Sequence, residues 1–224
     1  MDSALGVLLV LVIIAGGFGI IWLHFHLRKI RRQKLAAVAR ELGLTYHPGR
    51  HYHLHDTYGF FELFQRGDDH RSYDLIAGYR DGVKVTMFDF SYETSSGDSS
   101  VTHIRTVCIF GLPTERCFPY VTIRPEGFFD KLASAIGFND IDFESVEFSR
   151  KFFVKGKDRR FAYDLVHPRM MEYLLAVGSI CVEVAYAMIL VHHDTKLSPG
   201  EWTLLFKRGA EFLNRIPERL LSSD

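Results

Sequence analysis

The sequence predicts an α+β domain, a mainly antiparallel sheet with three to four helices packed on it, behind an N-terminal transmembrane helix. Three observations lead to this prediction. A 24-residue stretch near the N-terminus has no charged side chain. Runs rich in aromatic and β-branched residues follow it, and short turn sequences join several of them. Segments with helix-start and helix-stop residues lie between and after these runs.

Residues 4–27 form the uncharged stretch. At about 1.5 Å per residue a helix of this length spans about 36 Å, more than a hydrocarbon core of about 30 Å. A cleaved signal peptide is the main alternative, but such peptides begin with basic residues and have a shorter apolar core. This chain begins Met-Asp-Ser-Ala. We therefore assign residues 1–28 to a transmembrane anchor that contacts the lipid bilayer through residues 4–27.

A basic cluster follows the anchor directly. Because basic residues stay on the cytoplasmic side of a membrane, the positive-inside rule predicts a single-pass protein of the cell membrane. Its N-terminus would lie outside and its C-terminal domain in the cytoplasm. The same cations are candidates for contact with anionic lipid, each contributing on the order of 1 kcal/mol, although a plain topology signal explains them equally well. The cluster consists of Arg28, Lys29, Arg31, Arg32 and Lys34.

Composition argues against some classes of partner. The chain has 27 basic and 27 acidic residues, so setting the basic cluster apart leaves a mildly acidic domain. Such a domain is a poor nucleic-acid binder, and no nucleic-acid partner is expected. The 3 cysteines are odd in number and lack a C-x-x-C spacing, which indicates reduced thiols rather than a disulfide framework.

The elements after the anchor begin with a membrane-proximal helix at residues 29–44. Its residues are good helix formers, and Gly43 suits its end. Residues 45–224 are then predicted to be one cytoplasmic α+β domain. The dipeptide Asp81-Gly82 between two apolar runs is the strongest hairpin signal in the chain. Residues 83–92 carry apolar side chains at both alternating positions, which predicts a central strand.

Turn, strand and helix signals predict the other elements. They are a polar loop at 94–100, strands at 101–112 and 120–127, a helix at 128–137, a hairpin at 150–166, a helix from Pro168 and a long strand at 180–194.

The last predicted helix spans residues 198–216. Ser198 and Glu201 form an S-x-x-E capping box, with Pro199 at the first helical position. The helical spacing of its apolar residues predicts one buried stripe. We expect the stripe to contain Trp202, Leu205, Phe206 and Leu213.

Several blocks of this sequence resemble a family of uncharacterised prokaryotic single-pass membrane-anchored proteins. The blocks are residues 77–97, 106–113 and 128–175, and the likeness covers roughly residues 35–215. It is most specific through D-I-D-F-E-S and H-P-R-M-M-E-Y-L-L. The resemblance implies one anchored domain of unknown function, and it supplies no catalytic residues.

A histidine-rich segment is the main candidate for a metal site. His47, His51, His53 and His55 fall within nine residues, and the last three would share one face of a strand. Alternate strand residues are about 6.5–7 Å apart, whereas zinc needs nitrogens at about 2.0–2.1 Å. Convergence would therefore need help, for which His192 and His193 are candidates. No H-E-x-x-H or C-x-x-C spacing is present, so a surface segment is the better interpretation.

These observations assign no catalytic, cofactor-binding or metal-binding residue and no cofactor. The function they favour is a membrane-anchored cytoplasmic binding or scaffold domain with a protein partner. Two alternatives stay open. One is a metal-dependent enzyme that uses the histidines, and the other is an accessory subunit of a membrane complex.

Overall fold

The computed structural model describes residues 2–97, 99–112, 114, 116–126 and 141–221. The helix predicted at residues 128–137 lies outside the described residues. The strands are β1 Thr45–His51, β2 Asp68–Arg80, β3 Val83–Ser96, β4 Ser99–Gly111, β5 Phe118–Pro125, β6 Phe152–Gly156, β7 Cys181–Tyr186 and β8 Met188–His192. The helices are α1 Asp2–Leu42, α2 Leu54–Thr57, α3 Val146–Lys151, α4 Arg159–Leu165, α5 Pro168–Val177, α6 Pro199–Leu213 and α7 Glu218–Leu221, with a 3-10 helix at Glu62–Gln65.

All eight described strands form one sheet in the order β1-β2-β3-β4-β8-β7-β5-β6. Each neighbouring pair is antiparallel. The predicted α+β class, with a mainly antiparallel sheet and several helices, is therefore confirmed.

The sheet has two buried faces. On β3, Val85 and Met87 belong to a core shared with α1, α4, α5 and α6, whereas Phe88 and Phe90 belong to a second core on the other face. The second core is covered by residues 54–65, which contain α2 and the 3-10 helix. This double burial confirms that β3 is a central strand.

The hairpin predicted at Asp81-Gly82 is present between β2 and β3. Both residues have positive φ, 51° and 80°, as the two-residue turn favoured between antiparallel strands requires. The polar loop predicted at 94–100 is shorter than expected. Ser96 pairs with Ser99, so the two strands continue almost to their turn.

The hairpin predicted at 150–166 is wrong in its second half. β6 pairs with β5 instead of with the residues that follow it. The chain then turns into α4, because the Asp158 side chain accepts a hydrogen bond from the Phe161 N–H at 3.0 Å and caps the helix.

The prediction of one long strand at 180–194 is also wrong. Tyr186 has φ 53°, and the chain reverses there into the β7–β8 hairpin.

Helix α6 begins and ends close to its predicted bounds. The Ser198 N–H donates to the Glu201 carboxylate at 2.7 Å, which is the glutamate half of the predicted capping box. The predicted side chains of Trp202, Leu205 and Phe206 are buried. Leu213 is only partly buried, because the fully buried stripe passes through its neighbour Phe212.

Gly209 in α6 supports a test of this packing. A Cβ at Gly209 would lie 2.2 Å from Cε2 of Phe110, whereas one at Gly200 in the same helix would meet nothing within 4 Å. We expect Gly209→Ala to lower the free energy of unfolding by about 1–3 kcal/mol, because overpacking a core forces side chains and backbone to shift. Gly200→Ala is the matched control and should be neutral or stabilising by up to about 1 kcal/mol. Chemical denaturation in detergent measures both, and equal effects would contradict the packing of α6 on β4.

Candidate functional site

Helix α1 runs without interruption from Asp2 to Leu42. Among the described residues it is the one helix that is long and apolar enough to cross a membrane, over Leu11–Leu42. A helix of this kind suits a membrane span, and a signal sequence has the same character. Phe18 and Ile20 are 70% and 72% exposed, and such a continuous apolar surface suits lipid rather than water.

The C-terminal part of α1 lies in the domain core. Leu35, Val38, Ala39 and Leu42 are buried with side chains of α6 and the sheet. One continuous helix therefore carries both the apolar stretch and a piece of the core.

Asp89 on β3 is the central polar residue at this junction. Its side chain is 1% exposed, and it lies on the same sheet face as Met87. Its carboxylate accepts hydrogen bonds from Arg31 Nη2 at 2.6 Å and from Thr106 Oγ1 at 2.7 Å. The Lys196 ammonium lies 3.3 Å away. A buried carboxylate with two cations and a hydroxyl is well compensated for its loss of water.

The same contacts fasten the loop between β8 and α6. Arg31 also donates to the Leu197 carbonyl at 3.2 Å, and the Leu197 N–H donates to Thr106 Oγ1 at 2.9 Å. Asp89 thus links α1, β3, β4 and this loop. We call the set of Arg31, Asp89, Thr106, Lys196 and Leu197 the anchor junction.

Arg31 was identified in the sequence only as one of five cations of the basic cluster. The structure separates it from the other four, because it points into the anchor junction while Arg28, Lys29, Arg32 and Lys34 are exposed. A carboxylate within the apolar run Met87-Phe88-Asp89-Phe90 was the one sequence signal for this contact.

The interpretation of His51, His53 and His55 as one strand face is wrong. β1 ends at His51, and His53 immediately precedes α2, so the chain leaves the strand between them. The ring of His55 packs against that of His70, with centroids 5.3 Å apart. Within the described part of the chain, no three His, Cys, Asp or Glu side chains are placed to hold a metal ion.

In the described structure His192 and His193 form no metal site with the histidines of that segment. His192 is 2% exposed, and burial lowers its pKa to about 3, which keeps the imidazole neutral. His193 has hydrogen-bond partners of its own, Thr195 and Ser179.

A second buried carboxylate lies on the opposite face of the sheet. Glu183 on β7 accepts hydrogen bonds from the N–H groups of Glu62 at 2.6 Å and Leu63 at 3.1 Å. It also accepts one from the Tyr120 hydroxyl at 2.9 Å. These bonds hold the start of the 3-10 helix against the sheet. Desolvation raises the pKa of Glu183 to about 7. No sequence motif pointed to this residue.

Two further features are the buried cysteines and a surface groove. Cys108 and Cys181 are buried, and burial raises the pKa of both thiols, which makes them poor nucleophiles. A surface groove of about 490 Å³ lies between residues 143–145, α4 and α5. Its lining is mainly apolar. Its histidine, His167, is already in hydrogen-bond contact with the Arg215 carbonyl at 3.0 Å.

No family model matches the chain, and no curated protein matches it. Among solved structures it is similar to the mycobacterial trehalose monomycolate transport factor A, TtfA. The sequence identity is 12%, the TM-score is 0.58, and the match covers 83% of this chain and 96% of the other. A likeness at this identity shows a shared fold. It is consistent with the resemblance to uncharacterised prokaryotic proteins.

The anchor junction generates a stability prediction. Asp89→Asn leaves the cations without their carboxylate, and removing one partner of a buried ion pair costs about 3–5 kcal/mol. We expect a loss near the lower end of that range, because Arg31 and Lys196 are 20% and 42% exposed and can reach water. Asp81→Asn, at a carboxylate that is 92% exposed, is the matched control and should stay within about 0.5 kcal/mol. Urea unfolding in detergent measures the free energy of unfolding of both variants. A loss in Asp89→Asn as small as that in Asp81→Asn would contradict the role assigned to Asp89.

Glu183 generates a pH prediction. Its folded pKa lies above the ordinary value of 4.5, so the folded state binds the proton more tightly than the unfolded state. The contribution of this group to the free energy of unfolding is complete below about pH 4.5. As the pH rises through about 7, roughly 3 kcal/mol of that contribution is lost. Glu183→Gln should make the free energy of unfolding depend less on pH between pH 5 and 8. Glu147→Gln, at an exposed carboxylate, should leave it unchanged. An identical pH profile in the Glu183 variant and the wild type would contradict the prediction.

Proposed function

We propose that this chain is a membrane-anchored accessory or scaffold protein that holds its α+β domain at the cytoplasmic surface of the cell membrane. The observation that carries the proposal is the continuity of α1. The helix passes from the uncharged stretch into the core without a break, and the Arg31–Asp89 pair fixes it to the sheet. Its contacts hold the domain in one orientation relative to the helix, unlike a domain on a flexible linker.

The proposed orientation follows from the exposed cations. Arg28, Lys29, Arg32 and Lys34 remain free of the anchor junction at the C-terminal end of the uncharged stretch. The positive-inside rule favours the cytoplasm for that end. The same four side chains are well placed to contact anionic headgroups, each contributing on the order of 1 kcal/mol. Arg31 is excluded from this role because it pairs with Asp89.

The proposed accessory role draws on the structural neighbour. TtfA is named as a transport factor. The shared fold, together with the apolar helix α1 of this chain, supports an accessory role in a membrane complex. The partner would then be a protein of that complex. The metal-dependent enzyme has less support, because His51, His53, His55, His192 and His193 form no common site in the described structure.

Membrane anchoring is tested by charge placed in the span. In the double variant Ile14→Lys and Phe18→Lys each lysine costs about 2.5–3.5 kcal/mol near the centre of a membrane helix. We expect the full-length wild type to stay with the membranes in an alkaline carbonate wash and the double variant to be released or degraded. Gln33→Lys, at an exposed position of the same helix, is the control and should stay with the membranes.

The same cells report the orientation and the partner. A reporter fused after Asp224 that works only in the cytoplasm should be active, and extraction in mild detergent should recover the chain together with a second protein. Release of the wild type by carbonate, or a mature chain without residues 1–28, would contradict the anchor. An inactive reporter would contradict the orientation.

A further inference from the structure

The contacts of α1 show which way it runs along the sheet. Near its C-terminal end the Leu42 carbonyl accepts a hydrogen bond from Arg80 Nη1 at 2.8 Å. Arg80 pairs with Val83 at the start of β3. Eleven residues earlier in α1, Arg31 contacts Asp89, six residues further along β3. The direction from Leu42 to the uncharged stretch along α1 is therefore the direction in which β3 runs toward its C-terminal end. The helix and the strand are antiparallel.

β3 continues well beyond the anchor junction. From Asp89 to Ser96 there are seven residues, which at about 3.3 Å each span about 23 Å. From Arg31 to Leu27, where the uncharged stretch ends, α1 covers about 6 Å. Because the strand is much the longer of the two, the β3–β4 turn reaches at least the level at which the span meets its basic end.

This part of the hairpin projects from the sheet. β2 pairs with β3 only as far as Glu93, and β8 pairs with β4 only from Val107. We call residues 94–97 and 99–102 the hairpin tip. A two-stranded hairpin is marginally stable in water by itself, so a surface that contacts the tip would order it.

The chemistry of the hairpin tip suits a headgroup layer. It is rich in serine and threonine, and Val101 is 53% exposed. The nearby Glu93 carboxylate accepts hydrogen bonds from the hydroxyls of Ser100 and Thr102 at 3.1 Å and 3.4 Å. Its charge is therefore partly satisfied within the hairpin. Hydroxyl groups can in turn bond the phosphate and carbonyl oxygens of lipids.

The end of β1 lies on the same side of the anchor junction, about four residues short of the hairpin tip along the sheet. His51 pairs with Ser72, which pairs with Phe90, the residue after Asp89. Tyr52 follows and is 63% exposed, with the Arg50 guanidinium 4.8 Å from its ring centroid. An exposed tyrosine beside a cation is typical of a membrane interface, where the ring meets the headgroups.

We infer that this end of the sheet, the hairpin tip together with Arg50 and Tyr52, rests on the headgroup layer of the bilayer. The inference depends on the proposed function, because it takes α1 as the membrane anchor. It adds a second contact between domain and membrane, so that the domain lies against the lipid surface at one end. The opposite end, with the Asp81-Gly82 turn and Tyr79, then faces away from the membrane.

The test uses the full-length chain in phosphatidylcholine vesicles that contain a lipid with a nitroxide on its headgroup. Single cysteines are labelled with a fluorophore in a Cys117→Ser background, in which Cys108 and Cys181 are buried. Val101→Cys reports the hairpin tip, and Ser100→Cys repeats the measurement at a neighbouring exposed position. Tyr79→Cys, 71% exposed at the other end of the sheet, is the matched control. Phe25→Cys in α1 reports the anchor.

We expect the nitroxide to quench the labels at positions 25, 100 and 101 and to leave the label at 79 at full intensity. Quenching at 25 with no more quenching at 100 and 101 than at 79 would overturn the inference and leave the anchor intact. Absence of quenching at 25 would overturn the proposed anchor, and the inference with it.

Discussion

The carboxylate of Asp89 is buried in an apolar sheet face, and this constraint organises the α1 side of the protein. Removing an ion from water costs several kcal/mol even after the protein relaxes. A guanidinium from α1, a hydroxyl from β4 and an ammonium from the loop before α6 together offset that cost. Since the donors come from three separate segments, the arrangement is complete only when helix, sheet and loop are all in place.

The opposite face is fastened by a contact of another kind. Glu183 accepts hydrogen bonds from neutral groups, two backbone N–H groups of the covering segment and one tyrosine hydroxyl. Without a cation among those donors, desolvation dominates and raises the pKa of Glu183. The contact of Glu62 and Leu63 with the sheet should therefore weaken as the pH rises through about 7. The α1 face is instead held by charge pairs, and through it the domain is tied to the apolar helix α1.

Local signals in the sequence were sufficient for much of this fold. Asp81-Gly82 and the capping box of α6 act over a few residues, so their structures follow from nearby sequence alone. Contacts between distant residues were missed. β6 pairs with β5 across a long intervening segment, and Tyr186 turns the chain with a positive φ that is uncommon for an aromatic residue. Arg31 and Asp89 are 58 positions apart, so no periodicity could connect them.

The most direct test of the central claim is a double-mutant cycle on Arg31 and Asp89, with the variants Arg31→Met, Asp89→Asn and their combination. The free energy of unfolding of each full-length protein in detergent gives the coupling between the two side chains. A direct buried ion pair predicts a coupling of about 1–3 kcal/mol, with the double variant less destabilised than the sum of the single changes. Additive effects, within about 0.5 kcal/mol, would show that α1 and the sheet are not joined through Asp89.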